Sequence, residues 1–232
     1  MKVPWMSKDQ INRRAEKLIK DFQTMLGYPI TPPIPAEDII ERHLGLRLAY
    51  DNLEKVLGMK DVLGATWVNS RLICINETLF EHSAEGRLVF TCAHEVGHWV
   101  LHRQYVSVQE RRASRVEAIV CRARDAREPI EWQADYFAAC LLMPEKETRE
   151  AFHKVSGEKK LVLKHERSSI RSSSLCVEPC VEHWPYIAAA TCDAGGFSNV
   201  SKQAMVIRLQ DLGLLINLTG KPMSWGVLCS NA

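Results

Sequence analysis

Apolar positions recur at helical spacing between residues 8 and 26, where Ile11, Ala15, Leu18, Ile19, Phe22 and Leu26 form one stripe. Gly27 predicts the stop of that helix, and the proline-rich stretch 29–35 predicts a stiff connector. A short helix is expected from Ala36 to about Leu44, closed by Gly45. The pattern then changes to strand-like runs at 46–50, 64–68 and 72–75, with Asn69-Ser70-Arg71 as a hairpin turn between the last two. Two more helices are expected, at about 85–103 and 129–142, the second ending at Met143-Pro144. The polar, arginine-rich stretch 104–128 lies between them and reads as loop. Residues 154–182 carry Lys, Ser and Cys without an assignable period. A helix at about 181–192 is broken by Gly195-Gly196, and another at 201–212 has Ser201 as N-cap and Gly213 as stop.

These elements predict an α+β domain with a small antiparallel sheet over residues 1–145. A small helical C-terminal module follows at 146–232, within which 154–180 stays unassigned. Its 232 residues suit this division, and 46% apolar with 25% charged residues is ordinary globular composition. A formal net charge of +2 argues against nucleic acid or an anionic membrane as main partner. The first eight residues lack the apolar core of a signal peptide, and no run nears the roughly 18 apolar residues of a membrane span. The expectation is a cytoplasmic protein. Its eight cysteines are irregularly spaced with no Cys-x-x-Cys pair, which predicts buried thiols rather than a disulfide framework.

The chemistry concentrates in His94-Glu95-Val96-Gly97-His98. On a helix, residues four apart share a face about 6 Å apart along the axis, so the two imidazoles can share one zinc ion. Glu95 projects beside that face, where it can act as general base toward a water that zinc has made acidic. The flanking segments Leu88–Ala93 and Trp99–Leu101 are apolar enough to bury the helix, and buried histidines with a buried glutamate are costly without a metal. A catalytic zinc site needs a third protein ligand. Glu131 is the candidate, with Asp135 one turn later placed to accept a hydrogen bond from a ligand histidine. His102 is the rival ligand, but it sits about 12 Å from His94 along the helix axis, too far for one ion to bridge easily. It reads as a structural or cleft histidine.

The stretch from Phe90 to His102 resembles the active-site helix of the ImmA/IrrE metallopeptidases, a zincin-like arrangement. Glu131-Trp132-Gln133-Ala134-Asp135-Tyr136-Phe137-Ala138, ending in Leu141-Leu142-Met143-Pro144, is similar to that family's second motif. Phe197 to Leu215 looks like its helical tail. The resemblance implies His94, His98 and Glu131 as zinc ligands and Glu95 as base. It also implies a protein substrate, a helix-turn-helix transcriptional repressor cut to release its genes. The basic stretch 103–128 and residues 154–180 depart from the family pattern.

Other candidates are weaker. Cys176, Cys180 and His183 lack the spacing of a usual zinc knuckle, and read as adventitious. The 201–212 helix has too few cations, Lys202 and Arg208 against Asp211, for a DNA recognition helix, and reads as a packing element. Between 103 and 128 seven arginines face four acidic residues, which predicts a solvated face, with an acidic partner as the alternative. The rivals to an enzyme are a non-catalytic protein that binds a repressor and a DNA-binding regulator.

Overall fold

The computed structural model describes residues 3–82, 85–105, 118–122, 128–166, 180–221 and 223. The chain divides into two compact units, Met1–Pro144 and Glu145–Ala232.

The first unit opens with α1 (Lys8–Leu26). Ser7 and Gln10 form a reciprocal capping box, Gly27 closes the helix at φ 78°, and Ile11, Ala15, Leu18 and Phe22 are its buried face. Next come α2 (Ala36–Asp38), continued as a π-helical turn over Ile39–His43, then β1 (Arg47–Asp51) and α3 (Leu53–Leu57). Strands β2 (Val62–Trp67) and β3 (Leu72–Asn76) make the expected hairpin, with Arg71 at φ 49° in its turn. The short α4 (Thr78–His82) leads to α5 (Glu85–Gly97), which runs on as a π-helical turn over His98–His102. Strand β4 (Ala118–Arg122) precedes α6 (Pro129–Leu142), which has proline in its first turn, where a missing N–H costs nothing.

The sheet order is β1-β3-β2-β4. The expected antiparallel sheet is in fact mixed, because β1 pairs parallel with β3 while β2 pairs antiparallel with both β3 and β4. The helix and loop between β1 and β2 let the chain return to the far side of β3, a route that local periodicity does not encode. Strand β4 falls in the stretch read as loop. Its short Ala118-Ile119-Val120-Cys121 run was masked by the surrounding arginines. One sheet face carries Ala65 and Cys74, packed with Leu53 and Val62. By the two-residue alternation of strands, Gly64 and Thr66 face the other way, and α5 packs there. Helix α6 packs against both α5 and α1. The N-terminal segment lies along α6. Trp5 stacks on Trp132 with ring centroids 4.8 Å apart, and Trp132 stacks in turn on Tyr136.

The second unit holds α7 (Glu145–Ser156), β5 (Leu161–Leu163), a 3-10 turn at Val181–His183, α8 (Trp184–Gly195), α9 (Lys202–Asp211) and β6 (Leu215–Asn217). It is not wholly helical as expected: β5 and β6 pair in parallel. Each is three residues long, too short for alternation to stand out in sequence. Ser201 caps α9 by accepting a hydrogen bond from the Ala204 N–H at 3.1 Å. Among the described residues, no helix is long and apolar enough to cross a membrane.

Candidate metal centre

The last two turns of α5 are buried on every side, from Thr91 to Gly97, with His98 and Trp99 continuing. Charged and polar groups in such a helix need partners. Each of the four site residues on it has one or more, supplied by elements far away in the chain.

Helix α6 comes close because the contact is built from small residues. A Cβ added at Gly97 would lie 3.1 Å from the Ala134 Cα and O and 3.3 Å from the Phe137 Cβ. This approach brings Glu131, one turn before Ala134, to the histidines. Glu131 Oε2 is 3.2 Å from His94 Nε2, Glu131 Oε1 is 3.4 Å from His98 Nε2, and the two Nε2 atoms are 2.9 Å apart. Four-coordinate bonds of about 2.0–2.1 Å place donor atoms roughly 3.3–3.4 Å from one another, close to this spacing.

The outer hydrogen bonds decide which nitrogens carry protons. His94 Nδ1 is 2.8 Å from Asp135 Oδ1, so that nitrogen donates and Nε2 of the neutral ring is left bare. For His98 a longer chain of bonds gives the same result. Gln133 Nε2 donates to the Pro4 carbonyl at 3.0 Å, which orients the amide and aims Oε1 at His102 Nε2, 3.2 Å away. His102 Nε2 must donate, so its Nδ1 accepts from His98 Nδ1 at 3.1 Å, and His98 Nε2 is bare. Two nitrogen lone pairs and a carboxylate therefore converge in a buried space with no proton of their own to share. Such a set repels itself unless a cation sits among the three. The residues present fit a divalent metal, and His94, His98 and Glu131 are a group able to hold one.

Glu95 reaches the sheet. Its Oε2 accepts from the Thr66 hydroxyl at 2.6 Å. Its Oε1 is buried and has no hydrogen-bond partner among the described residues. Room for it exists because residue 64 is glycine: an added Cβ would sit 2.6 Å from Oε1. Burial pushes the Glu95 carboxyl up to about 7, against the opposing Thr66 hydrogen bond.

His102 is fully buried between His98 and Gln133 and stands outside the group of His94, His98 and Glu131. Thr66, Gly64 and Gln133 did not stand out in the sequence. Thr66 and Gly64 lie on a strand whose facing helix is about thirty residues away, and nothing local marks such a pairing. Of the second-metal candidates, Cys176 lies outside the described residues, while the Cys180 N–H donates to His183 Nδ1 at 3.3 Å. Most of the arginine-rich stretch also lies outside them, at 106–117 and 123–127.

No curated protein matches the chain. The family model Peptidase_M78, described as the IrrE N-terminal-like domain, matches residues 43–166. That span exceeds half of the 232 residues and contains His94, His98 and Glu131, the group able to hold a metal. The chain belongs to this metallopeptidase family, the one that its two helical motifs resemble.

Proposed function

We propose that the protein is a zinc-dependent endopeptidase that hydrolyses a peptide bond in a protein substrate, a helix-turn-helix transcriptional repressor, in the cytoplasm. The observation that carries this reading is the convergence of two bare imidazole nitrogens and a carboxylate beside a glutamate with one unpartnered oxygen. Family membership supports the hydrolytic reaction class, and the two motifs' resemblance supports the repressor as substrate.

His94 and His98, through Nε2, and Glu131 would hold the ion, and a nitrogen–oxygen set of this composition suits zinc. A zinc ion bound there supplies Lewis-acid polarisation of the scissile carbonyl and makes a nearby water acidic enough to ionise close to neutral pH. Glu95 Oε1 takes the proton of the attacking water, then returns it to the leaving amine nitrogen. Thr66 holds Oε2 during both transfers, so the carboxylate does not have to reorient. Asp135 and the His102–Gln133 pair keep both ligand histidines in the tautomer that offers Nε2.

The test is incubation of the purified protein with a helix-turn-helix repressor encoded beside it, with and without chelator, read by mass spectrometry. Chelator-sensitive cleavage is expected. Glu95→Gln is expected to retain zinc and to lose roughly 10²–10⁴-fold in rate, the usual worth of general-base catalysis. Cleavage at the parental rate by this variant would remove Glu95 from its role.

A further inference from the structure

Residues 3–5 touch helix α6 by three different means. Val3 packs against Ile119 and Ile130. The Pro4 carbonyl accepts from Gln133 Nε2 at 3.0 Å. Trp5 stacks on Trp132 with an angle of 8° between the ring planes. On α6 the contacts fall on Ile130, Trp132 and Gln133, within the turn that carries Glu131. Gln133 and His102 are completely buried, so solvent does not compete for their hydrogen bonds.

The relay from Pro4 through Gln133 and His102 to His98 has a direction that its side chains do not have singly. A primary amide can turn over and a neutral imidazole has two tautomers, so all three side chains can pass a hydrogen bond either way. A main-chain carbonyl can only accept. Reversal would aim Gln133 Oε1 at the Pro4 oxygen and move the His98 proton to Nε2. That proton would find acceptors in His94 Nε2 at 2.9 Å and Glu131 Oε1 at 3.4 Å, so a site without its ion has a reason to reverse. A protonated Nε2 has no lone pair to offer a metal. Pro4 opposes this, and does so only while residues 3–5 stay seated.

We propose that the segment Val3–Trp5 is a positioning element of the metal centre, which holds His98 in the metal-binding tautomer when it is seated on α6. This rests on the metal site proposed above. Coupling between two binding events is reciprocal, so bound metal also holds the segment in place.

Val3→Ser combined with Trp5→Ala removes both apolar anchors and keeps the Pro4 carbonyl. Trp5 is 69% exposed, so its loss opens no core. Zinc affinity is expected to fall roughly tenfold, as for loss of a ligand histidine's hydrogen-bond partner. In Gln133→Leu the relay is already cut, so the same two substitutions should cost nothing more. An unchanged affinity, or losses that add in full across this cycle, would overturn the proposal. Long-range proton–nitrogen NMR of the imidazole rings reads the tautomer in the zinc-free protein. The parent should carry the His98 proton mainly on Nδ1, and the unseated variant should share it with Nε2. The same tautomer in both would overturn the role of the segment. Chymotrypsin should cut after Trp5 more slowly in the zinc-loaded parent, and zinc should not slow it in Gln133→Leu. Equal protection in the two would overturn the coupling. A parent that binds no zinc would overturn the metal site itself, while the tautomer measurement still decides the relay.

Discussion

Asp135 and His102 do similar work from opposite sides of the site, although one is 42% exposed and the other fully buried. Each takes the outer N–H of a histidine of the candidate site, His94 or His98, and leaves the inner nitrogen bare. Loss of such a partner typically costs ~10–100-fold in metal affinity or activity. Asp135→Ala is therefore expected to weaken zinc binding by that order, and Asp135→Asn by less, because the amide oxygen still accepts but carries no charge. Zinc titration against a competing chelator reads both. Glu131→Ala and His102→Leu separate a ligand from its support. The first should leave the purified protein nearly free of zinc. The second should lower affinity while a stoichiometric ion still loads at saturation. Zinc retained without Glu131 but lost without His102 would reverse the two roles.

At the scale of elements, two glycines set how closely the parts meet. Gly97 lets α5 approach the α6 backbone, and Gly64 lets Glu95 lie flat against β2. Their substitution by alanine should therefore fail differently. Gly97→Ala places a methyl 3.1 Å from the Ala134 backbone, which cannot turn aside as a side chain can. The helices must part by a few tenths of an ångström, withdrawing Glu131 from the histidines, so zinc affinity should fall. Such overpacking costs ~1–3 kcal/mol in stability. Gly64→Ala meets the end of the Glu95 side chain instead, at 2.6 Å. Zinc should bind as in the parent while the cleavage rate drops, because the base is displaced and its ligand neighbours are not. Equal loss of zinc in both variants would refute this division. The outline of these helices was readable in the sequence. The π-helical turn at His98–His102 was not, since the residues in it continue the same apolar pattern.

For the whole molecule, the site and every residue assigned to it belong to one compact unit, Met1–Pro144. A metal that binds only the folded state stabilises that unit by mass action, by about 2.7 kcal/mol when free ion stands at 100 times its dissociation constant. Removal of the ion by chelator should therefore lower the unfolding temperature, and added zinc should restore it. In Glu131→Ala the same additions should have little effect. Calorimetry on parent and variant checks this, and a zinc-independent melting temperature in the parent would argue against a bound ion.

The sequence by itself determined the parts of the site that lie one helical turn apart. His94 with His98, and Glu131 with Asp135, share faces because a helix repeats every 3.6 residues, and that spacing is legible in one dimension. The apolar stripe of α1 was legible for the same reason. Only the tertiary structure decided which faces meet. Thr66 reaches Glu95 across 29 residues, and Gln133 reaches the Pro4 carbonyl across 129. The parallel pairing of β1 with β3 is of this kind as well. Strand order, helix approach and the hydrogen bonds that set a tautomer depend on packing between distant segments, and no local period records such contacts.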